Sequence, residues 1–387
     1  MKITFFSNFF NHHQKPVADV LYKMFGIDYT FVATTPMPDS FSKSGYEKFE
    51  RTPYVLKSYE NIDNYKKALD LAVLSDIVVL GAASDTFIKE RLDLNKTTFK
   101  YAERIFKKSK YQKFNPRAIW HQYNRHTVHR NKNCYMLCAS AFTANDLKWL
   151  RAYPNKMFKW GYFTKVLEIP IQNILLNKRN KKFKILFVAR LIKWKHPEMV
   201  VLVGKRLKEL GHDFEINIIG NGIMENNIKN LVSNEKLNDE IKLHGNLSND
   251  KVLELMQTSH AFFFSSDRNE GWGAVANEAM SNGCTLVASH TIGAVPYLVK
   301  PNVNGMVFES ENTEDASRKL EKLIIDRDLC EKLALNAYKN LKNLWSPENA
   351  ALSLIELYKQ LKDCTIETTV SKGPCSKAFP TKNNWFK

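Results

Sequence analysis

The stretch that most constrains the fold is residues 262–292, FFFSSDRNEGWGAVANEAMSNGCTLVASHTI. An apolar run of strand length ends in a turn bracketed by Gly271 and Gly273, and a helix-length segment follows over residues 274–282. Gly283 then stops the helix, and a second apolar run of strand length begins at once. Strand, turn, helix, glycine stop and strand in this order are typical of a parallel α/β unit. In such sheets, ligands bind beyond the carboxyl ends of the strands, against the N-termini of the helices.

The alternation of strand and helix patterns continues through both halves of the chain, and 387 residues exceed one ordinary hydrophobic core. The run NKRNKK at residues 177–182 has no apolar period and is predicted to be the linker between domains. We therefore predict an α/β protein with two Rossmann-like domains. The predicted bounds are 1–168 for the N-terminal domain, 169–346 for the C-terminal domain, 347–362 for a last helix and 363–387 for an irregular tail.

Positive charge is concentrated in one part of the N-terminal domain. The formal net charge is +17, and residues 96–132 contain eleven Lys or Arg and the single acid Glu103. Seven aromatic residues are interleaved with these cations. A basic, aromatic surface suits an anionic membrane or a polyanionic partner, and a solvated basic face is the simplest alternative. We predict contact with an anionic membrane surface and expect no nucleic-acid partner, because no nucleic-acid-binding motif accompanies the charge.

The composition also bears on location. No apolar run approaches the roughly 18 to 20 residues that a membrane-spanning helix needs, and the N-terminus lacks the pattern of a signal peptide. The six cysteines are scattered, which favours reduced thiols. Cys134 and Cys138 have no second ligand pair at zinc spacing, so we expect a structural role for both. We predict a cytoplasmic protein that is peripheral on the inner face of the cell membrane.

Several features of the C-terminal half predict one kind of ligand. Two cations follow a predicted strand, and a Gly-Asn-Gly turn after the next strand allows close approach of the backbone. An acid and a Gly-Trp-Gly turn precede a helix N-terminus, which favours phosphate, and a second acid in that helix could accept both hydroxyls of a ribose. Together they predict a site for a nucleoside diphosphate that carries a sugar. The residues are Arg190, Lys195, Gly220, Asn221, Gly222, Glu270, Gly271, Trp272, Gly273 and Glu278.

Each of these features also has a structural explanation. The cations could be ordinary surface residues, the glycines could be turn residues, and Trp272 could simply pack the turn. The interval between Glu270 and Glu278 recurs between Glu348 and Glu356 in a plain amphipathic helix, so spacing alone does not identify a site. The order of all the features along alternating strands and helices is what predicts one.

Two loops of the N-terminal domain could also hold chemistry. The loop after the first predicted strand contains His12 and His13, which are candidates for acid–base or hydroxyl-binding roles unless they are surface residues. Ser84 and Asp85 occupy the corresponding place after a later strand, where capping of the next helix is the alternative. His126, in the basic stretch, is a further candidate.

These features resemble the retaining, nucleotide-sugar-dependent glycosyltransferases of family 4, which have the two-domain GT-B architecture. The resemblance implies two Rossmann-like domains that face each other across a cleft. The similarity covers residues 184–361 and depends on three segments in order: FVARLIKWK, IIGNG, and NEGWGAVANEAMSNGCTLVAS followed by Gly293. Ala189 and His196 stand where the family often has glycine. The loop after the first strand lacks the family's frequent glycine pair and contains Asn11-His12-His13 instead.

The resemblance implies a role for each site residue. Arg190 and Lys195 would bind the donor diphosphate and neutralise the leaving group. Glu270 would contact the transferred sugar, Glu278 the ribose, and Leu243 would lie near the base. The backbone amides implied to hold the sugar and the phosphate are those around Gly273, Ala274 and Val275. In the N-terminal, acceptor-side domain the candidates are His13, for catalysis, with His12, Ser84, Asp85 and His126. The last helix would cross back to the first domain.

We therefore predict transfer of a sugar from a nucleoside-diphosphate sugar to a hydroxyl acceptor, with retention at the anomeric carbon. No carboxylate pair is obviously placed for double displacement, so front-face attack assisted by the leaving phosphate is what the family implies. No cofactor or metal is required, and the one Asp-x-Asp, at residues 326–328, is expected to cap a helix. The expected setting is synthesis of bacterial surface polysaccharide, with a lipid-linked saccharide as a candidate acceptor.

Two alternatives stay open. A nucleotide-sugar epimerase of the same architecture would turn over the donor without an acceptor. A nonenzymatic polyanion-binding protein would use the basic stretch and have no affinity for nucleotide sugars.

Overall fold

The structure is a computed structural model, which describes residues 1–38, 49, 51–107, 111–166, 168–363 and 370–387. Cys364 and residues 108–110 of the basic stretch lie outside the described residues. The chain forms two compact units. The first unit consists of Met1–Lys165 and Trp345–Thr381, and the second of Val166–Leu344 and Lys382–Lys387.

The first unit contains a seven-stranded sheet, in which neighbouring strands are parallel and the order is β3-β2-β1-β4-β5-β6-β7. Every residue of the adjacent strands β1 and β4 is buried, as expected for a parallel sheet that is covered on both faces. The strands are β1 Ile3–Ser7, β2 Tyr29–Ala33, β3 Val55–Lys57, β4 Ile77–Leu80, β5 Thr98–Ala102, β6 Cys134–Cys138 and β7 Met157–Lys159. The helices, numbered in chain order, are α1 Lys15–Phe25, α2 Ile62–Leu74, α3 Lys89–Asp93, α4 Pro116–His126, α5 Thr143–Trp149 and α14 Pro347–Lys362.

The second unit contains a six-stranded parallel sheet of order β10-β9-β8-β11-β12-β13. The strands are β8 Phe183–Val188, β9 Phe214–Ile219, β10 Ile241–Leu243, β11 Ala261–Phe264, β12 Thr285–Ser289 and β13 Met306–Phe308. The helices are α6 Ile171–Arg179, α7 Pro197–Glu209, α8 Glu225–Asn234, α9 Asn249–Thr258, α10 Val275–Ser281, α11 Val295–Leu298, α12 Thr313–Ile325 and α13 Arg327–Asn343. One short turn of 3₁₀ helix lies in this unit, at Lys193–Lys195, and four lie in the first unit, at Gly26–Asp28, Asp85–Ile88, Gln112–Phe114 and Thr127–His129.

The predicted class, α/β with two Rossmann-like domains, is confirmed.

The prediction of a linker at residues 177–182 is wrong, because the first three of these residues end helix α6. Lys178 is only 4% exposed. Its ammonium donates at 2.7 to 3.3 Å to the carbonyls of Met256, Ser259 and Gly283. This cation is therefore a structural group of the second unit and not the solvated charge that a linker carries.

The C-terminal part of the chain returns to the first unit, where helix α14 packs against α1. Ser346 caps α14 by accepting from the N–H of Asn349, and Pro347 occupies its first turn. The described part of the tail, residues 370–387, contains no helix or strand, and one antiparallel bridge joins Lys377 to Phe158. Cys375 is nevertheless fully buried, so the tail is packed although it is irregular.

Because neighbouring strands in each sheet are parallel, their carboxyl ends lie along one edge of that sheet. The segments that follow the strands therefore come together there, as the α/β unit predicts. Among the described residues, no helix combines the length and the apolar character that crossing a bilayer requires.

Candidate active site

The β8 loop (residues 189–196) and the β11 loop (residues 265–274) are neighbours, because strands β8 and β11 are adjacent and parallel. The Lys195 ammonium forms an ion pair with Glu270 Oε2 between these loops. The side chains are 12% and 10% exposed, respectively. The ammonium also lies 4.3 Å from the centre of the Trp194 ring, within the range of a cation–π contact. Two predicted site residues that are distant in sequence are thus in contact.

Hydrogen bonds to the backbone also join the two loops. Ser265 Oγ donates to the carbonyl of Lys195 at 2.8 Å and to that of His196 at 3.0 Å. The N–H of Asp267 donates to the carbonyl of Trp194 at 3.0 Å. The loops are therefore held together independently of the Lys195–Glu270 ion pair.

His196 forms a third link between the same loops. Its backbone is left-handed, with φ 49° and ψ 53°, and it precedes the first residue of α7. Nδ1 lies 2.7 Å from Glu198 Oε1 and Nε2 lies 3.7 Å from Asp267 Oδ2. Contacts with Asp267 and then Glu198 raise the pKa of His196 to about 9, against the opposing effect of burial. Burial acts to raise the pKa of Asp267, but its contacts with His196 and Asn269 outweigh that effect and lower it.

The predicted turn Gly220-Asn221-Gly222 supports the β8 loop from the side of β9. The N–H of Leu191 donates to the carbonyl of Asn221 at 2.8 Å. A Cβ on Gly220 would lie 2.0 Å from the carbonyl oxygen of Ala189, and a Cβ on Gly222 would lie 2.3 Å from that of Leu191. Both glycines are therefore required by close backbone packing, whatever else they bind.

The Gly271-Trp272-Gly273 turn contains a core residue. Trp272 is fully buried, and its Nε1 donates to Asn277 Oδ1 at 2.9 Å. Gly273 has φ +87°, and a Cβ there would lie 2.5 Å from Phe264 Cζ. The Trp272 side chain thus packs inside the turn. Its neighbours Gly271, Gly273 and Ala274 have little or no side chain, so mainly their backbone groups lie in the segment that leads into helix α10. The first N–H groups of a helix have no partner within the helix.

Glu278 lies in α10 with its side chain partly buried. Burial raises the pKa of its carboxyl to about 7. No hydrogen bond or ion pair joins its side chain to the described residues. A partly buried acid without a protein partner is an acceptor that a ligand hydroxyl could satisfy.

The remaining donor-side candidates are more exposed. Arg190, at the start of the β8 loop, is exposed and makes no ion pair with the part of the chain that the structure describes. Asn221 is exposed, Val275 begins α10, and Leu243 ends β10, partly packed on the core. All follow or end strands of one parallel sheet, so the structure brings the donor-side candidates to the same edge of the second unit.

In the first unit, the loop after β1 contains His12 and His13. The two rings lie 3.9 Å apart between centres, and His13 stacks on Tyr162 at 5.6 Å. Burial, with the charge of His12, lowers the pKa of His13 to about 3, so the ring is neutral at neutral pH. His13 and Tyr162 line a pocket with about 400 Å³ of empty space, part of it open to solvent.

Three polar residues near this pocket have no counterpart among the sequence-predicted candidates. Gln14 donates to Ser7 Oγ at 3.1 Å and to Tyr101 Oη at 3.2 Å. Tyr162 Oη donates to Glu103 at 2.6 Å. The ring of Tyr101 packs against Gly81, where an added Cβ would lie only 2.4 Å from Tyr101 Cε1. Of the three, only Gln14 has a sequence feature that could have indicated it, because it directly follows the predicted histidine pair. Tyr101 and Tyr162 are brought to the pocket by strand pairing, which no local sequence pattern indicates.

Ser84, Asp85 and His126 have protein partners. Ser84 Oγ accepts from the N–H of Thr86, which is a cap. Burial acts to raise the pKa of Asp85, but contacts with His129 and the buried Lys100 outweigh that effect and lower it to about 2. His126 is 3% exposed, with Nδ1 3.1 Å from Tyr153 Oη. None of the three side chains lines the pocket that contains His13.

Within the described ranges, no group of three or more His, Cys, Asp or Glu side chains is placed to hold a metal ion. The five described cysteines are buried free thiols, Cys134 and Cys138 among them.

Comparison with known proteins adds to this geometry. Residues 171–340, which contain both loops, match the family model described as "Glycosyl transferases group 1". An uncharacterised glycosyltransferase of Methanocaldococcus jannaschii is 28% identical over 192 residues, 50% of this chain and 52% of that protein. The poly(glycerol-phosphate) alpha-glucosyltransferase of Bacillus subtilis is 27% identical over 203 residues, 49% of this chain and 28% of that protein. The chain spans about half of the first relative and under a third of the second.

Among solved structures, the Anabaena protein HepE in complex with UDP has a TM-score of 0.69 at 14% identity, over 93% of this chain and all of that chain. This likeness concerns the fold, which is that of the GT-B glycosyltransferases. Residues 171–340 are therefore similar in sequence to the group 1 glycosyl transferases, and the two units have the GT-B type of fold.

Proposed function

We propose that the protein is a retaining glycosyltransferase that moves a sugar from a nucleoside-diphosphate sugar to a hydroxyl acceptor. The observation that carries the proposal is the Lys195–Glu270 ion pair, formed by the loops that follow two adjacent strands at the carboxyl edge of the second sheet. The match of residues 171–340 to group 1 glycosyl transferases supports it. The Bacillus subtilis relative is named for glucosyl transfer, and the Anabaena protein was solved with UDP.

When the donor binds, the Lys195 ammonium is proposed to leave Glu270 and to pair with the diphosphate of the donor. Arg190 lies exposed in the same loop and can add a second positive charge. As the sugar–phosphate bond breaks, both cations stabilise the negative charge that grows on the leaving group, and preorganised charge of this kind is usually the largest contribution to catalysis. The proposal needs no metal, because these side chains supply the positive charge.

Glu270 is proposed to accept a hydrogen bond from the transferred sugar once Lys195 has turned away. Glu278 would accept the ribose hydroxyls, for which its carboxyl has no competing partner among the described residues. The backbone amides around Gly273, Ala274 and Val275 would hold the sugar and the phosphate. With no second carboxylate assigned as a nucleophile, attack from the front face retains the anomeric configuration.

His13 is proposed to orient the acceptor hydroxyl. A base is most effective when its pKa lies near the working pH, and a pKa of about 3 makes the His13 ring a weak base. The neutral ring can still accept a hydrogen bond, while the leaving phosphate takes the proton. His12, in ring contact with His13, is the second candidate on this side.

The first prediction tests the ion pair. Lys195→Ala and Glu270→Ala should each lower kcat at least about a hundredfold, the usual cost of losing a charge that stabilises a transition state. Because each change leaves a partly buried charge unpaired, each should also lower Tm. The measurement is release of nucleoside diphosphate from a panel of nucleotide sugars, with and without acceptor.

The matched control is Glu215→Ala, which breaks the ion pairs of Glu215 with Lys184 and Lys242. Glu215 lies near the beginning of β9, whereas the site lies beyond the carboxyl ends of the strands. It should lower Tm and keep kcat within about twofold. Full activity in both site variants would refute the proposed roles. Donor turnover that does not depend on any acceptor would favour the epimerase.

We further propose that the protein works at an anionic membrane and contributes to bacterial surface polysaccharide. The observation that supports the membrane location is a group of exposed aromatic side chains in and beside the basic helix α4. A lipid-linked saccharide is the acceptor class that such a location suits. The nonenzymatic alternative, a protein that binds polyanions through this surface, would show no affinity for nucleotide sugars.

A further inference from the structure

His196 occupies a position whose backbone conformation favours glycine. Its φ of 49° lies in the left-handed region, where a side chain other than that of glycine is strained. The family that the sequence resembles often has glycine at this position, and glycine would avoid the strain. Histidine at this position costs some strain, and its ring contributes contacts that glycine could not make.

The contacts of the ring indicate what that contribution is. The ring lies between Glu198, in the first turn of α7, and Asp267, in the β11 loop. Asp267 begins the turn that ends at Glu270, since its carbonyl accepts from the N–H of Glu270 at 3.1 Å and its Oδ1 accepts from the N–H of Asn269 at 2.7 Å. Moving Asp267 would therefore move Glu270.

This link becomes important when the donor binds. In the proposed function, Lys195 leaves Glu270 for the diphosphate, so the ion pair between the loops is lost at that moment. The His196–Asp267 contact involves neither of those side chains and remains. Ser265 and the N–H of Asp267 contribute neutral hydrogen bonds, whereas His196 contributes the charged contact that persists.

We propose that His196 is a positioning residue, which holds the Glu270 turn against the β8 loop in its protonated form while Lys195 engages the donor. The inference rests on the proposed function. The charged groups that act most strongly on His196 are acids: Glu198 on α7, Asp267 in the β11 loop and Glu311 in the segment before α12. These acids keep the ring protonated at neutral pH. The contact is complete below the ordinary pKa of 6.5 and is lost as the pH rises through about 9.

The test compares His196→Asn with Lys236→Asn. Asparagine tolerates left-handed backbone, so both changes preserve the conformation. Lys236 has φ 54° and is exposed after α8, which makes it a control for substitution at a left-handed position of the same unit. Three quantities are measured on the full chain: kcat between pH 6.5 and 10, the Kd of UDP with GDP and ADP in parallel, and amide hydrogen exchange over residues 265–270.

His196→Asn should lower kcat at least tenfold at pH 7.5, change the nucleoside diphosphate Kd less than threefold, and remove the loss of kcat that wild type shows near pH 9. It should speed exchange over residues 265–270 at least tenfold at pH 7.5. Lys236→Asn should change none of these. Unchanged kcat with wild-type exchange in His196→Asn would overturn the positioning role. If wild type neither binds a nucleoside diphosphate nor transfers sugar, the proposed function fails, and exchange alone still decides whether His196 holds the turn.

Discussion

At the scale of single residues, the buried charges of this protein differ in their partners. Arg91 is 1% exposed, and its guanidinium donates to the backbone carbonyls of Ala72, Ser75, Asp76 and Thr97. Lys178 likewise donates to three carbonyls. Glu278 differs, because its partly buried carboxyl has no partner among the described residues. A charge whose desolvation is not compensated lowers stability, so Glu278 is the residue where function and stability should oppose each other.

Replacing Glu278 with Gln should therefore stabilise the protein, and the gain should depend on pH. The pKa of about 7 lies above the ordinary 4.5, so folding favours the protonated carboxyl. The resulting penalty is absent below pH 4.5, grows between pH 4.5 and 7 and is complete above pH 7. Glu278→Gln should raise the free energy of unfolding by on the order of 3 kcal/mol at pH 8 and change it little at pH 4.5. Urea denaturation at both values measures this, and an equal loss of stability at both would contradict it.

The same substitution should weaken ligand binding. Ionised Glu278 accepts two hydroxyls, so the affinity for UDP should rise between pH 6 and 8 in wild type and be at least tenfold lower in Glu278→Gln at pH 8. Inorganic pyrophosphate is the matched probe, because it carries the phosphates and lacks the ribose. Calorimetry should find its affinity unchanged by the substitution; an equal loss for both probes would assign Glu278 to the phosphates instead.

The sequence predicted Lys195 and Glu270 as site residues because each follows an apolar strand and lies beside a turn that precedes a helix. It could not predict that they pair, since contact depends on β8 and β11 being adjacent. The prediction that Lys178 belongs to a linker is wrong for a related reason. A lysine in a polar, basic run has the pattern of a solvated residue, and only the carbonyls of distant segments make it a buried one.

At the scale of elements, the loops after β8 and β9 pack directly against each other through their backbones. The N–H of Gly220 donates to the carbonyl of Gly245 at 2.7 Å, and the N–H of Met224 donates to that of Leu191 at 3.0 Å. Gly220, with φ +122°, leaves no room for a Cβ beside the carbonyl of Ala189. Any enlargement of this turn should therefore displace the loop that carries Arg190 and Lys195.

Gly220→Ala should lower the free energy of unfolding by about 2–3 kcal/mol, because overpacking against backbone adds to the strained φ. Gly211→Ala is the matched control. Gly211 also has a positive φ, +77°, but open space surrounds the position of its Cβ, so only about 1 kcal/mol should be lost. Urea denaturation separates the two effects. Equal losses of unfolding free energy in the two variants would mean that the turn at Gly220 adjusts to the added methyl group, so that contact with the β8 loop does not require glycine there.

The elements that could be predicted are those with a local pattern. Strand β2 matches a mostly apolar run, YTFVA at residues 29–33, and strands β9 and β10 match segments in which apolar and polar residues alternate, FEINII at 214–219 and IKL at 241–243. Strands β3 and β7 lie at the two edges of the first sheet, have three residues each and contain partly exposed side chains, so no apolar run distinguishes them. Strand β5 contains the buried Lys100, whose charge is balanced by Asp85. Each of these strands is specified by its neighbours.

At the scale of the whole molecule, the net charge of +17 is accompanied by an uneven distribution of exposed aromatic rings. Four such rings lie within 13 residues: Tyr111, Phe114, Trp120 and Tyr123, between 49% and 69% exposed. The described residues of the same segment, 111–132, contain five Lys or Arg and no Asp or Glu. Scattered apolar residues need no explanation, but aromatic and cationic side chains concentrated in and beside one helix are typical of an interfacial surface.

Two pairs of substitutions test this surface against vesicles of phosphatidylglycerol and of phosphatidylcholine. Wild type should sediment with the anionic vesicles, weakly with the neutral ones, and less as salt is raised. Arg117→Glu with Arg130→Glu should weaken anionic binding at least roughly thirtyfold, because each basic residue near the surface contributes about 1 kcal/mol. Trp120→Ser with Tyr123→Ser should weaken it through loss of the aromatic anchors.

The controls change the same residue types elsewhere in the first unit. Lys66→Glu with Lys67→Glu reverses two exposed charges on α2, and Trp149→Ser with Phe379→Ser removes two exposed aromatic rings. Both should bind vesicles as wild type does, because their positions lie outside the α4 segment. Equal weakening by the Lys66 and Lys67 changes would mean that the net charge acts without a defined surface. Preference for single-stranded RNA over anionic vesicles at physiological salt would identify a nucleic-acid surface, and wild type that binds neither would leave a solvated basic face.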